Sequence, residues 1–195
     1  MVTMRTGTAI QSTAPSETGF VSLPDFLIEY ANREDPYKYE WNNGVVEQKP
    51  RTMNRNQFLI FQNLFFVFMK TGAFAAKGML MCEVDMFLPF VLRTRRADIA
   101  YLSGEQMQAS RDGKATVCAF VIEVVSKNDQ ANEVEEKKVE YFENGVQVLW
   151  VVYPTLKKVD VYRSIKDVTV CLNEDVCSAA PVLPDFEITV AGLFA

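Results

Sequence analysis

The chain contains no histidine. That absence removes Ser-His-Asp triads, histidine general bases, HNH-type nuclease chemistry and zinc sites built on imidazole. Cysteine is scarce and scattered: Cys82, Cys118, Cys171 and Cys177 form no C-x-x-C pair, so neither a zinc ribbon nor a thioredoxin-like motif is expected. Such thiols suit a reduced, cytoplasmic protein. Long apolar runs are missing too. The longest stretch, 58–69, contains Gln62 and Asn63 and falls short of the ~20 residues that cross a bilayer, so no membrane span is expected. The N-terminus lacks the basic start and apolar core of a secretory signal. Nor is there an excess of basic charge: 20 Lys and Arg against 25 Asp and Glu give a net charge of -5, which argues against a surface that is basic throughout. A local basic groove is compatible with that balance.

What is present suffices for a core. In 195 residues, 49% are hydrophobic and 12% aromatic, and one domain is expected. Residues 1–20, rich in Thr, Ser, Ala and Gly, read as a disordered tail. Ser22 resembles the N-cap of a short helix over 24–30, with Pro24 in its first turn. Segments 37–41 and 45–49 flank Asn43-Gly44, whose tolerance of positive φ predicts a β-hairpin. Phe58, Phe61, Leu64, Phe65 and Phe68 recur at three- and four-residue spacing, predicting an amphipathic helix over 56–70 that packs on a sheet. Strands are expected over 77–89, 95–102 and 117–125. A charged helix over 130–144 follows, preceded by the capping loop 126–129 and ended by Gly145, and then a strand over 146–153. A closing hairpin (159–163, 168–172) precedes a final short element over 186–194 whose type the pattern leaves open. The sum is an α/β (α+β) architecture, a mixed sheet flanked by helices.

One residue breaks the pattern. Glu123 interrupts the apolar run Ala119-Phe120-Val121-Ile122-Glu123-Val124-Val125. A buried carboxylate costs several kcal/mol unless paired, protonated, metal-bound or solvated. Its structural explanation is an ion pair with Arg95 or Arg96, or a strand end facing water. Its functional explanation is a cation site shared with Asp98, which opens the preceding predicted strand. Two carboxylates on adjacent strands, with the Val124 carbonyl, offer the oxygen ligands that Mg²⁺ or Mn²⁺ takes, and phosphodiester hydrolysis fits such a site. A positive group is then required near the reacting phosphate. Lys137 and Lys138 lie on the following helix beside the stripe Val134, Tyr141, Phe142; periodicity makes Lys138 the more inward and does not identify the functional one. By default both belong to a solvated helix face. Glu40 is a hairpin carboxylate within conceivable reach of the metal, and more often such a residue is a surface charge. Arg93, Arg95, Arg96 and Lys77 read either as a phosphate-contacting patch or as a solubilising cluster. Trp150 and Tyr141 read as core packing.

The chain resembles the PD-(D/E)XK nuclease superfamily, and within it the bacterial Uma-two family of putative restriction endonucleases. The residues that carry the resemblance are Tyr39-Glu40-Trp41-Asn42-Asn43-Gly44, Arg96-Ala97-Asp98-Ile99-Ala100, Ile122-Glu123-Val124-Val125-Ser126, Lys137 with Tyr141, Gly145-Val146, Leu149-Trp150-Val151-Val152-Tyr153-Pro154 and Val182-Leu183-Pro184-Asp185-Phe186. The resemblance implies a restriction-endonuclease-like domain over 21–195, built on a four-stranded mixed sheet flanked by helices, with extra N- and C-terminal hairpins. It implies Asp98 and Glu123 as metal-binding and catalytic carboxylates and DNA as substrate. The superfamily's usual lysine position is Val125 here. The Uma-two spacing moves the lysine to the next helix and selects Lys137 over Lys138. A homodimer is compatible, since cutting both strands takes two sites. The alternative is a catalytically inactive nuclease-fold module that binds nucleic acid or a protein partner.

Overall fold

The computed structural model describes residues 19–31, 33–50, 55–112, 116–126 and 129–195, without the side chains of 50, 55 and 56. The expected tail lies outside these residues apart from 19 and 20, as do Lys127 and Asn128 of the expected capping loop. Ser22 caps the first helix, α1 (Leu23–Glu29), through the Asp25 amide, as its sequence predicts. The Asn-Gly turn joins β1 (Tyr37–Asn42) to β2 (Val45–Pro50), with Asn43 at φ 43° and Gly44 at φ 93°. Then come α2 (Arg55–Phe68), α3 (Gly72–Ala75), β3 (Met79–Leu88), β4 (Arg93–Leu102), α4 (Gly104–Arg111), β5 (Phe120–Val124), α5 (Ala131–Glu143) and β6 (Val148–Tyr153). The chain closes with β7 (Lys158–Ser164), β8 (Asp167–Leu172), β9 (Val176–Ala179), β10 (Leu183–Thr189) and α6 (Val190–Leu193). The element left open over 186–194 is therefore the end of a strand followed by one helical turn.

Eight strands form the main sheet, in the order β2-β1-β4-β5-β6-β7-β8 with β3 also on β4; β9 and β10 form a separate pair. Every pairing is antiparallel except β5 with β6, which α5 connects. The four-stranded mixed core is thus present and widened by a hairpin on either side. Alternation of side chains divides the core. Phe120, Ile122 and Val124 on β5, with Trp150 and Val152 on β6, pack beneath Ile60, Leu64 and Phe68 of α2 and Phe186 of β10. Val121 on β5 and Leu149 and Val151 on β6 face the opposite way, toward Tyr141 of α5. Covering on both faces explains why these strands read as unbroken apolar runs. No helix among the described residues is long and apolar enough to cross a membrane.

The geometry of β4 opens the sheet. β3 follows one edge of β4 from Arg93 to Leu102, whereas the other edge pairs with β1 at Arg93 and with β5 at Ile99 and Ala100. Between these attachments side chains replace ladder bonds. The Thr94 hydroxyl accepts from the Trp41 amide, Glu40 Oε1 from the Arg96 amide, and Asp98 Oδ2 from the Val124 amide at 2.8 Å. β4 and β5 therefore splay apart immediately beside Asp98 and Glu123.

Candidate active site

β5 pairs Ile99 with Ile122 and Ala100 with Val121; carried one step further, that register sets Asp98 against Glu123. Side chains at opposed positions of neighbouring strands share a face, and the charge of Glu123 acts on Asp98. The face is the one that α5 covers. Lys137 donates to Glu123 Oε2 at 2.7 Å, and the Tyr141 hydroxyl donates to Oε1 at 2.6 Å. Glu123 is 7% exposed and Tyr141 fully buried. Gly145, at φ 98°, ends the helix so that β6 can return beside β5.

Asp98, Glu123, Val124 and Lys137 line one cleft of about 250 Å³, together with Lys38 and Lys49 from the hairpin and Glu83 from β3. The structure thus brings the three expected side chains together. Val124 contributes its amide to Asp98 and lines the same cleft. Burial and the charge of Glu123 push the Asp98 carboxyl up to about 7, against the pull of Lys137, Lys38 and the Val124 amide. For Lys137, burial opposes the charge, but Glu123, Glu40 and Asp98 outweigh it and raise the ammonium above its ordinary range. Lys137 accordingly stays protonated, a hydrogen-bond donor rather than a base.

Both lysines of α5 turn inward, to different partners. Lys138 donates to Glu135 at 2.6 Å and to the Tyr162 hydroxyl at 3.1 Å, leaving Lys137 as the one on Glu123. Neither is on a solvated face; they are 9% and 6% exposed. The arginine explanation of Glu123 fails because the arginines are engaged elsewhere. Arg95, 1% exposed, binds Glu140 and Glu40; Arg93 binds Glu47 and Glu140; Arg96 binds Asp85. The same pairings overturn the phosphate-patch expectation for these three arginines. Glu40 does not line the cleft: Arg95 at 2.9 Å and the Arg96 amide hold it, and it reaches the site through Lys49 and through charge. Burial would raise Glu40, yet Lys137, Lys49 and Arg95 hold it at about 2. Trp150 is core, as expected, while Tyr141 is core and also a partner of Glu123.

Sequence reasoning missed Lys38, Lys49 and Glu83. Lys38 and Lys49 face each other across the hairpin, and Lys49 is paired with Glu133 and Glu40. Glu83 sits between the β3 pairs Cys82–Ile99 and Val84–Ala97, hence opposite Asp98, in a left-handed backbone of φ 55°. Its Oε2 is buried with no partner among the described residues. Within β3 it alternates with apolar residues as any solvent-facing carboxylate would, so no local signal marks it.

The donor set is oxygen. Two facing carboxylates and an adjacent backbone carbonyl suit a hard divalent cation, whose remaining positions water and substrate oxygens fill. Among the described residues no three Asp, Glu, His or Cys side chains gather at ligand spacing.

A mixed sheet with one parallel crossover, helices on both faces and extra hairpins defines a restriction-endonuclease-like α+β fold. The Uma-two family model, described as "Putative restriction endonuclease", matches residues 23–191, and the chain belongs to that family. The crystal structure of a putative nuclease from Anabaena variabilis matches with a TM-score of 0.72 over 89% of this chain and 97% of that one; at 17% identity the likeness is one of fold. No curated protein matches the chain.

Proposed function

We propose that this protein is a metal-dependent endonuclease that hydrolyses DNA phosphodiester bonds. The observation that carries this is the meeting of Asp98 and Glu123 across the β4–β5 register at a cleft that Lys137 also lines. Asp98, Glu123 and the Val124 carbonyl would hold Mg²⁺ or Mn²⁺. When bound, the cation polarises a phosphoryl oxygen and acidifies a coordinated water. The chain's residues do the rest. Lys137, protonated and buried, orients the attacking water and offsets charge developing on the phosphate. Lys38 lines the cleft from the hairpin and supplies a cation for a flanking phosphate. DNA as the substrate rests on the family's description, and a homodimer would bring two such sites to two strands.

The test is cleavage of supercoiled plasmid with Mg²⁺ or Mn²⁺, compared with EDTA. Nicked or linear product, abolished by EDTA and lost at least ~100-fold in Asp98→Ala, Glu123→Ala and Lys137→Ala, is the expected result. Plasmid retained on the protein without a strand break, under every metal tried, would instead support the inactive nuclease-fold module.

A further inference from the structure

Glu123 is held by both of its oxygens, and the two donors are unlike. Tyr141 is fully buried among Val121, Leu149 and Val151, has two side-chain torsions, and cannot leave Oε1 without unpacking that face of the core. Lys137 carries its ammonium on a flexible stem and lines the cleft, so its bond to Oε2 lies on the open side. If Tyr141 were packing alone, phenylalanine would serve; a buried hydroxyl is costly unless paired, and Glu123 is its hydrogen-bond partner. One oxygen is therefore fixed from the core side and the other is covered by an ammonium on the cleft side.

We infer that Tyr141 is a positioning residue that pins Glu123 through Oε1, so that Oε2 is the atom offered to a divalent cation, with Lys137 occupying Oε2 until that cation takes it. This rests on the cation-site reading above. The exchange replaces one cation by another on a single oxygen, and no covalent bond forms or breaks. It also gives Lys137 two successive tasks: neutralising Glu123 in the metal-free protein, then facing the phosphate once released.

Calorimetric titration of Mn²⁺ into the full chain at pH 8 tests this with two variants of opposite sign. Tyr141→Phe weakens Mn²⁺ binding by ~10- to 100-fold, as loss of a ligand's outer partner does at metal sites. Lys137→Met tightens it by about tenfold, because the competing ammonium is gone. Melting in EDTA checks the fold of each variant. A Tyr141→Phe protein that loses stability but binds Mn²⁺ like the wild type overturns the positioning role, and a Lys137→Met protein with unchanged or weaker affinity overturns the exchange. Wild-type protein that binds no Mn²⁺ removes the cation site itself, and the inference with it. Should Tyr141→Phe not fold, a Mn²⁺-soaked wild-type crystal decides. Tyr141 still on Oε1 with Lys137 withdrawn supports the exchange, and Lys137 still on Oε2 beside bound Mn²⁺ contradicts it.

Discussion

At the scale of the residue, the central fact is a conflict of charge that the fold maintains. Asp98 and Glu123 face one another on adjacent strands, and burial with the charge of Glu123 raises Asp98 to about 7 from an ordinary 3.8. A carboxyl raised in this way binds its proton more tightly folded than unfolded. Its contribution to stability therefore falls as pH rises from about 4 to about 7 and stays unfavourable above. Asp98→Asn should raise the stability of the metal-free protein at pH 8 by about 1–3 kcal/mol, a range discounted because the carboxyl opens onto the cleft. The gain should vanish near pH 4. Urea unfolding in EDTA at the two pH values measures it; a destabilised Asp98→Asn protein at pH 8 would show that Asp98 is held by favourable contacts and not by strain.

At the scale of the element, two pieces present the site: the β1–β2 hairpin and α5. The hairpin docks through Glu40, 1% exposed, whose carboxylate bridges the Arg95 guanidinium and the Arg96 amide. Held at about 2 against an ordinary 4.5, Glu40 contributes stability that is present above pH 4.5 and lost as pH falls toward 2. Glu40→Gln should cost about 3 kcal/mol at pH 7 and flatten the acid limb of the stability curve, read by chemical denaturation from pH 7 to 3. Helix α5 begins at Gln130 without a side-chain cap. Gln130→Ser should add about 0.5–1 kcal/mol, visible as a higher melting temperature. The same elements divide what was legible from what was not. The hairpin follows from Asn43-Gly44, β5 and β6 from their apolar runs, and α2 from the spacing of Phe58, Phe61, Leu64, Phe65 and Phe68, although its buried stripe is Ile60, Leu64 and Phe68 and leaves Phe58 exposed. In contrast, α3 and α4 have no fully buried side chain and so leave no apolar period to read. The buried face of α5 carries Lys137, Lys138 and Glu140, polar residues that each find a partner on another element, Glu123, Tyr162 and the arginines of β4, so periodicity could not separate the two lysines. Glu123 announced itself as a charge in an apolar strand, whereas Glu83 became visible only through the register that sets it beside Asp98.

At the scale of the whole molecule, a net charge of -5 surrounds a cleft whose lining sets Lys38, Lys49, Lys137 and Lys138 among the carboxylates Glu83, Asp98, Glu123, Asp129 and Glu133. Cationic groups confined to one cleft make few phosphate contacts, and those contacts release counterions. With Ca²⁺ replacing Mg²⁺, DNA affinity measured by fluorescence anisotropy should fall by about 10- to 100-fold between ~50 and ~200 mM salt, as roughly three contacts would give. Salt-independent binding would place the DNA elsewhere. The proposed hydrolysis depends on whether the two carboxylates share a cation. The most direct measurement is an anomalous difference map from crystals soaked in Mn²⁺. A single strong peak within about 2.0–2.6 Å of carboxylate oxygens from both Asp98 and Glu123 is the predicted result. A fully soaked crystal with no peak between them, or with one held by other residues, would contradict it.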